Sequence, residues 1–448
     1  MNIYKVQAFG ATGDGRFNDG PSIQRAIDTC HANGGGQVLL PAGRTYLSGT
    51  IALKSHVELR IERGATLQAS WNPADYDHAL LSTALSGGRP DAFPAFALIT
   101  ADRAENIAVT GGGVIDGAGR YYVEEDTGYI YRMKPNRPFT LYLIGSRNIT
   151  INDVTVRDGA LWTIRLTGCE DAVIHGIRIQ NDLKLPNNDG IDLDRCRYVR
   201  ISDCHIVCGD DCIALKACQE SEGMGACENI TVTGCTLIST SSALMVGCEC
   251  RAPMRNVIFD SCVVQASHRG LAIHLSEECD VENVLFSNMI VETRLFHEGW
   301  WGRGEPIYVV ALPWTAEHTV GNVRRVRFVN VLARSENGVV VVGTDSRNIE
   351  ELLFENVRVE LDRWSKWEGG RLDLRPTPGE PMPASPTNGF LLRNARDVTV
   401  RSCSVVWGKS RAEEFRHALL AENVEGLTLE GFRGTSAQPD RYEAVLQR

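Results

Sequence analysis

The 448-residue chain contains no run of about 18 consecutive apolar residues, the length a membrane-spanning helix requires, so no membrane partner is expected. Nor does it carry a basic stripe. With a formal net charge of -10 it lacks the clustered Lys and Arg that neutralise phosphates, which disfavours a nucleic-acid binder. Local arginines can still hold an anionic polymer. The N-terminal residues Met1-Asn2-Ile3-Tyr4-Lys5-Val6 lack a basic segment followed by an apolar core and a small-residue cleavage site, and a cytoplasmic protein is expected. Among fourteen cysteines there is no Cys-Xaa-Xaa-Cys, so no metal site is expected. Cys204, Cys235 and Cys262 instead fall at one equivalent point after β-rich runs, as small apolar residues stacked inside a coil would.

What the sequence does contain is a repeat. A polar residue followed by a β-branched run recurs at Asn148-Ile149-Thr150-Ile151, Tyr198-Val199-Arg200-Ile201, Asn229-Ile230-Thr231-Val232, Asn256-Val257-Ile258-Phe259 and Asn283-Val284-Leu285-Phe286. It continues at Asn322-Val323, Asn348-Ile349 and Asp397-Val398. A period of about 24 to 31 residues implies stacked supersecondary units. Each unit holds two or three short strand-like runs separated by Gly, Asn or Asp, with no helical period between them, so the coils stack in parallel. Leucine-rich repeats are excluded by the absence of their leucine spacing. The fold expected is all-β, a single-stranded right-handed parallel β-helix.

A solenoid must cap its apolar ends. Residues 21–30 read as one amphipathic capping helix, starting after Asn18-Asp19 and stopping at Asn33-Gly34-Gly35-Gly36. Residues 1–45 thus form the cap and entry coil of one catalytic domain, 1–448. Residues 71–96 and 362–388 interrupt the repeat and read as loop insertions, because the repeat resumes after each.

Two stretches carry chemistry, Asn187-Asn188-Asp189-Gly190-Ile191-Asp192 and Gly209-Asp210-Asp211-Cys212-Ile213-Ala214. Adjacent ionised aspartates repel, so an Asp-Asp pair in an apolar stretch needs a reason. Nearly one repeat separates the two stretches, which sets Asp189 and the Asp210-Asp211 pair on neighbouring rungs of one wall. Close carboxylates titrate as a coupled group, one protonated while another is ionised, and glycosidic hydrolysis needs that combination. Asp192, Asp194 and Asp203 read instead as turn aspartates.

These motifs resemble glycoside hydrolase family 28, the polygalacturonase-like enzymes. Asn187-Asn188-Asp189 is similar to the family's Asn-Thr-Asp motif, Gly209-Asp210-Asp211 to its Gly-Asp-Asp, and residues 34–43 with Leu53-Lys54-Ser55 to its entry coil. The resemblance implies Asp210 as general acid, with Asp189 and Asp211 holding and activating water for inversion. It implies no cofactor. Asn187 and Lys216 are further candidates for contact with substrate.

Two departures bear on the substrate. The family's Gly-His-Gly falls at Ser241-Ser242-Ala243, which puts Ser242 in the place of the histidine. Its Arg-Xaa-Lys falls at Ala272-Ile273-His274, so two cations that hold a galacturonate carboxylate in the resembling enzymes are missing. Arg269 or Arg251 can restore a charge, and His274 can donate a hydrogen bond or act as a cation. Residues 294–306, with Trp300, Trp301, Arg303 and Glu305, have the composition of a sugar-stacking loop that closes one end of a cleft.

The function expected is inverting, exo-acting hydrolysis of a pectin-derived oligosaccharide, with galacturonate or a neutral or deoxy sugar such as rhamnose at the cleaved position. A metal-dependent β-helical polysaccharide lyase and a non-catalytic carbohydrate-binding solenoid are the alternatives.

Overall fold

The structure, a computed structural model, describes residues 2–78, 96–315, 317–374 and 382–448. The chain folds as a parallel β-helix. It divides into two compact units, residues 1–210 with 218–230, and residues 211–217 with 231–448.

In the first unit the strands Ala97–Asp102, Phe139–Ile144, Ile164–Thr167 and Ile191–Asp194 pair in parallel as one wall. Glu105–Thr110, Arg147–Asn152, Glu170–His175 and Arg197–Ser202 make a second. Thr66–Ala69, Val114–Asp116, Thr155–Arg157, Arg178–Gln180 and His205–Cys208 make a third. The β-branched residues explain the stacking, because their inward positions fall in register: Ile151 lies on Ile174, and Ile174 on Ile201, all fully buried.

The same logic builds the second unit from Ile213–Ala217, Ser242–Cys250, Arg269–Leu275 and Glu305–Ala311 and the coils that follow. Its core holds a stack of phenylalanines. Phe259, Phe286, Phe328 and Phe354 lie 4.8, 5.0 and 5.2 Å apart in succession, with interplanar angles of 14° or less.

The polar residue of the repeat marks a corner. Asn148, Tyr198, Asn229, Asn256 and Asn283 all have left-handed backbone, φ between 53° and 59°, a conformation Asn tolerates better than most residues. Further along, the register differs from the sequence reading. Val284 pairs with Val326 and Val326 with Leu352, so the corner residues are Arg325 and Glu351, three positions after Asn322 and Asn348. A search for Asn misses these corners because larger side chains occupy them.

The capping helix spans Gly20–Ala32 and buries Ile23, Ala26, Ile27 and Cys30. The Asp19 side chain does not cap it. Its carboxylate instead accepts from Thr12 N at 2.6 Å and Gly13 N at 2.9 Å, while Asn18 Oδ1 accepts from Gly20 N at 2.9 Å. All fourteen cysteines are free thiols, and all but Cys248 and Cys279 are buried, as a stacked-coil role requires. Of the two insertions, residues 79–95 and 375–381 lie outside the described residues. Among the described residues no helix is long and apolar enough to cross a membrane.

Candidate active site

Asp189 and Asp210 belong to the first unit, on turns that leave adjacent strands, Arg178–Gln180 and His205–Cys208. Both are nearly buried, and their carboxylate oxygens come within 4.8 Å of each other. Asparagines hold the turns. Asn188 accepts from Gly209 N at 2.6 Å and donates to Asp182 O at 3.0 Å, which clips one turn to the next. Asn181 Nδ2 donates to Asn188 O and Thr163 Oγ1, and Thr163 N donates to Asp189 O at 2.8 Å. The backbone N–H of Asn187 donates to Asp210 Oδ2 at 3.1 Å.

Arg137, which the sequence reading passed over, is central to this arrangement. Its guanidinium donates to Ala160 O at 2.9 Å, Pro186 O at 2.7 Å and Asn187 Oδ1 at 3.2 Å. Burial pulls its pKa down to about 10, against the attraction of Asp189 and Asp210. An arginine in a connector between Asn136 and Pro138 reads as a surface residue, so no sequence signal marked it.

Asp211, the next residue after Asp210, belongs to the second unit. Its Oδ1 accepts from Ser241 Oγ at 2.9 Å and from Ser242 N at 3.0 Å. The side chain addressing Asp211 is therefore Ser241, and Ser242 lends only its N–H. Ser242, expected in the histidine's place, is itself fully buried.

The other expected contacts are mostly internal. Arg269 is 1% exposed. Its Nε lies 3.6 Å from Glu305, its NH2 3.3 Å from Asp373, and its guanidinium 3.7 Å over the Tyr308 ring. Burial opposes its charge, but Tyr308, Glu305 and Asp373 outweigh that and raise its pKa. Arg251 pairs with Glu277 at 2.9 Å and Lys216 with Glu249 at 2.9 Å. Burial, reinforced by the Arg269 charge, brings the His274 pKa down to about 4, so its ring is neutral near pH 7 and does not act as the cation allowed for above.

The loop 294–306 is likewise packed, not displayed. Trp300, Arg303 and Glu305 are buried and Trp301 is half-buried, so sugar stacking is not the role of Trp300. This loop locks onto the described part of the 362–388 insertion: Gly302 N donates to Asp373 at 2.8 Å, Arg371 pairs with Glu298 at 3.3 Å, and Arg303 donates to Glu368 O.

Two aspartates assigned to turns are corrected as well. Asp192 and Asp194 lie on the strand Ile191–Asp194 and are fully buried. Asp194 pairs with Arg165 at 2.9 Å, and Arg165 stacks on Trp162 and Tyr142. Asp203 is an exposed corner residue with φ 55°, as a turn aspartate would be.

A pH effect follows from His274. Its depressed pKa means the unfolded chain takes up the proton first, so stability should fall as pH drops from about 6.5 to about 4. Replacing His274 by Gln should flatten that part of the profile, measured as denaturation midpoint against pH. An unchanged slope would show that the ring is not buried neutral.

Asp189 and Asp210 bring together carboxylate oxygens of the kind a hard cation takes, and also of the kind that acid-base chemistry needs. Fold and site define a β-helical protein with neighbouring buried carboxylates in its wall. The family model described as glycosyl hydrolases family 28 matches residues 30–296, and the chain belongs to that family. It is 30% identical over 274 residues to a probable polygalacturonase of Vitis vinifera, covering 59% of this chain and 55% of that protein. The chain thus spans about half the length of the grape relative. It is 24% identical to an endo-polygalacturonase of Pectobacterium carotovorum subsp. carotovorum, over 78% of this chain and 85% of that one. The family 28 exopolygalacturonase of Yersinia enterocolitica superposes with a TM-score of 0.72 at 19% identity, covering 97% of this chain and 79% of that one, a likeness of fold.

Proposed function

We propose that this protein hydrolyses a glycosidic bond of a pectin-derived oligosaccharide with inversion, acting from a chain end, and that the residue cleaved is a neutral or deoxy sugar such as rhamnose. Asp210 protonates the leaving oxygen while Asp189 and Asp211 hold and activate water. Pectin as the source is supported by the polygalacturonases among the relatives.

The observation that carries the choice of sugar is the fate of the cations. Ala272 has no charge, His274 is kept neutral, and Arg269 is buried between Glu305 and Asp373. A uronate carboxylate there would have to compete with two internal acids for Arg269, and the guanidinium could not move without taking the cation away from both of these buried carboxylates. Exo action follows the sequence reading, in which the loop 294–306 closes one end of a cleft.

Inversion rests on the family resemblance. Oxygens within 4.8 Å are nearer the roughly 5 Å between carboxyl groups of retaining enzymes than the roughly 6.5–9.5 Å of inverting ones, so product stereochemistry is the decisive measurement. Early NMR spectra of the released sugar should contain the inverted anomer. Initial release of the retained anomer would make one aspartate a covalent nucleophile. On matched substrates differing only in the cleaved residue, the neutral sugar should be turned over faster, and a strong preference for the uronide would overturn the neutral-sugar reading. The acidic group also favours a second reading, a calcium-dependent lyase. Loss of activity on chelation, with an unsaturated ultraviolet-absorbing product, would establish it.

A further inference from the structure

Trp71 and Tyr121, in the first unit, are large aromatic side chains left 46% and 45% exposed. They stack on each other, ring centroids 4.8 Å apart and planes inclined by 25°. Nothing in the acid-base chemistry uses them. Two aromatic rings held together at the surface are an unusual outlay of apolar area, and a flat exposed ring face is what the apolar face of a pyranose covers.

Their position on the coil says which pyranose. Trp71 follows the strand Thr66–Ala69, and Tyr121 follows Val114–Asp116. The next rungs of the same wall are Thr155–Arg157, then Arg178–Gln180, whose outgoing turn carries Asp189, then His205–Cys208, whose outgoing turn carries Asp210. The aromatic pair therefore leaves the coil at the same end of the strands as the aspartates, two and three rungs before Asp189. At about 4.8 Å per rung that is roughly 10–15 Å along the wall. A rung is comparable to one sugar residue in length, so the pair stands about two or three sugars from the bond cleaved.

Two cations adjoin the backbone of Tyr121. Arg120 Nε donates to the buried Asp158 at 2.8 Å, yet the Arg120 side chain remains 78% exposed. Lys134 Nζ donates to the carbonyl of Tyr121 at 3.0 Å and is exposed as well. This is the reverse of Arg269, whose guanidinium is enclosed by its acids. A ring platform beside solvent-facing cations suits a sugar that bears a carboxylate.

We propose that Trp71 and Tyr121, with Arg120 and Lys134, form a distal subsite for a uronate residue two or three sugars from the scissile bond. The proposal rests on the saccharide reading above and extends it, since the ligand then carries its uronate away from the cleaved position.

Binding, not turnover, tests it. Titration calorimetry of the wild-type protein with α-1,4-linked galacturonate oligomers, dimer to hexamer, and with the same ladder carboxyl-reduced, should give affinity that steps up once the chain reaches the platform. Trp71→Ala should weaken the oligomers of both ladders by about 2- to 12-fold. Arg120→Gln should remove only the preference for the uronate ladder. Affinity independent of length, no binding at all, undiminished affinity in Trp71→Ala, or an undiminished uronate preference in Arg120→Gln would each overturn the subsite. Length-dependent binding without cleavage of any oligomer, or of rhamnose-containing pectin fragments, would leave the subsite standing and remove the hydrolase reading instead.

Discussion

Asp210→Asn is expected to lower kcat by about 10² to 10⁴ on any substrate the wild-type protein cleaves, with little change in substrate affinity or thermal stability. The size of the loss is that of a general acid, because an amide cannot supply the proton the leaving oxygen needs. The fold should tolerate the change. Asp210 accepts a hydrogen bond from Asn187 N, and an amide oxygen in the same place can accept it too. Arg137 would lose one of the two carboxylates that oppose the burial of its charge, but it keeps its three protein acceptors, Ala160 O, Pro186 O and Asn187 Oδ1. The measurements are single-turnover kinetics, calorimetric binding and a melting curve on the same preparation. Turnover at the wild-type rate would remove Asp210 from the mechanism and transfer the acid role to Asp189 or Asp211.

Phe328→Ala is expected to destabilise the second unit by about 3–5 kcal/mol, the loss for deleting a buried aromatic ring that its surroundings cannot refill. Phe328 is fully buried and is sandwiched between Phe286 at 5.0 Å and Phe354 at 5.2 Å, both planes within 7° of its own. Parallel register sets these contacts, since Phe286 pairs with Phe328 and Phe328 with Phe354 along adjacent strands. The coils cannot slide to close the gap without breaking the ladder of backbone hydrogen bonds on either side. In a solenoid each coil rests mainly on its neighbours, so the loss should appear as earlier unfolding of the coils around this position. Hydrogen exchange resolved along the chain would detect it. A loss below about 1 kcal/mol would mean that the stack collapses onto the vacancy and adds little beyond burial.

Much of the architecture was legible because a β-helix repeats its constraints. Every coil needs inward β-branched residues at the same offsets and a corner residue that accepts left-handed backbone, so Asn256-Val257 and Asn283-Val284 mark coils without any structure. Where the corner passes to Arg325 and Glu351 the mark disappears, although the backbone does the same thing. The carboxylates were legible for a related reason, since parallel stacking turns a spacing of nearly one repeat into proximity, as between Asp189 and Asp210. Ser241 and Ser242 show the limit of that reading. One residue decides which hydroxyl meets Asp211, and that choice depends on a backbone path which the order of residues does not show.

The sequence alone thus determined the coil, its cap and the acids in its wall, because these depend on local period and on spacing between adjacent rungs. Tertiary structure alone decided which charges remain available. Arg269 meets Asp373, 104 residues away, across an insertion with no repeat to follow, and burial between that acid and Glu305 commits its charge internally. Arg120 keeps its charge at the surface although it too has an acid partner. Both are arginines beside an aromatic residue or a short step from one, and nothing in the order of residues separates them. The difference is solvent: an ion pair removed from water cannot exchange its partner for a substrate without leaving a charge unpaired in the interior, whereas an exposed one can.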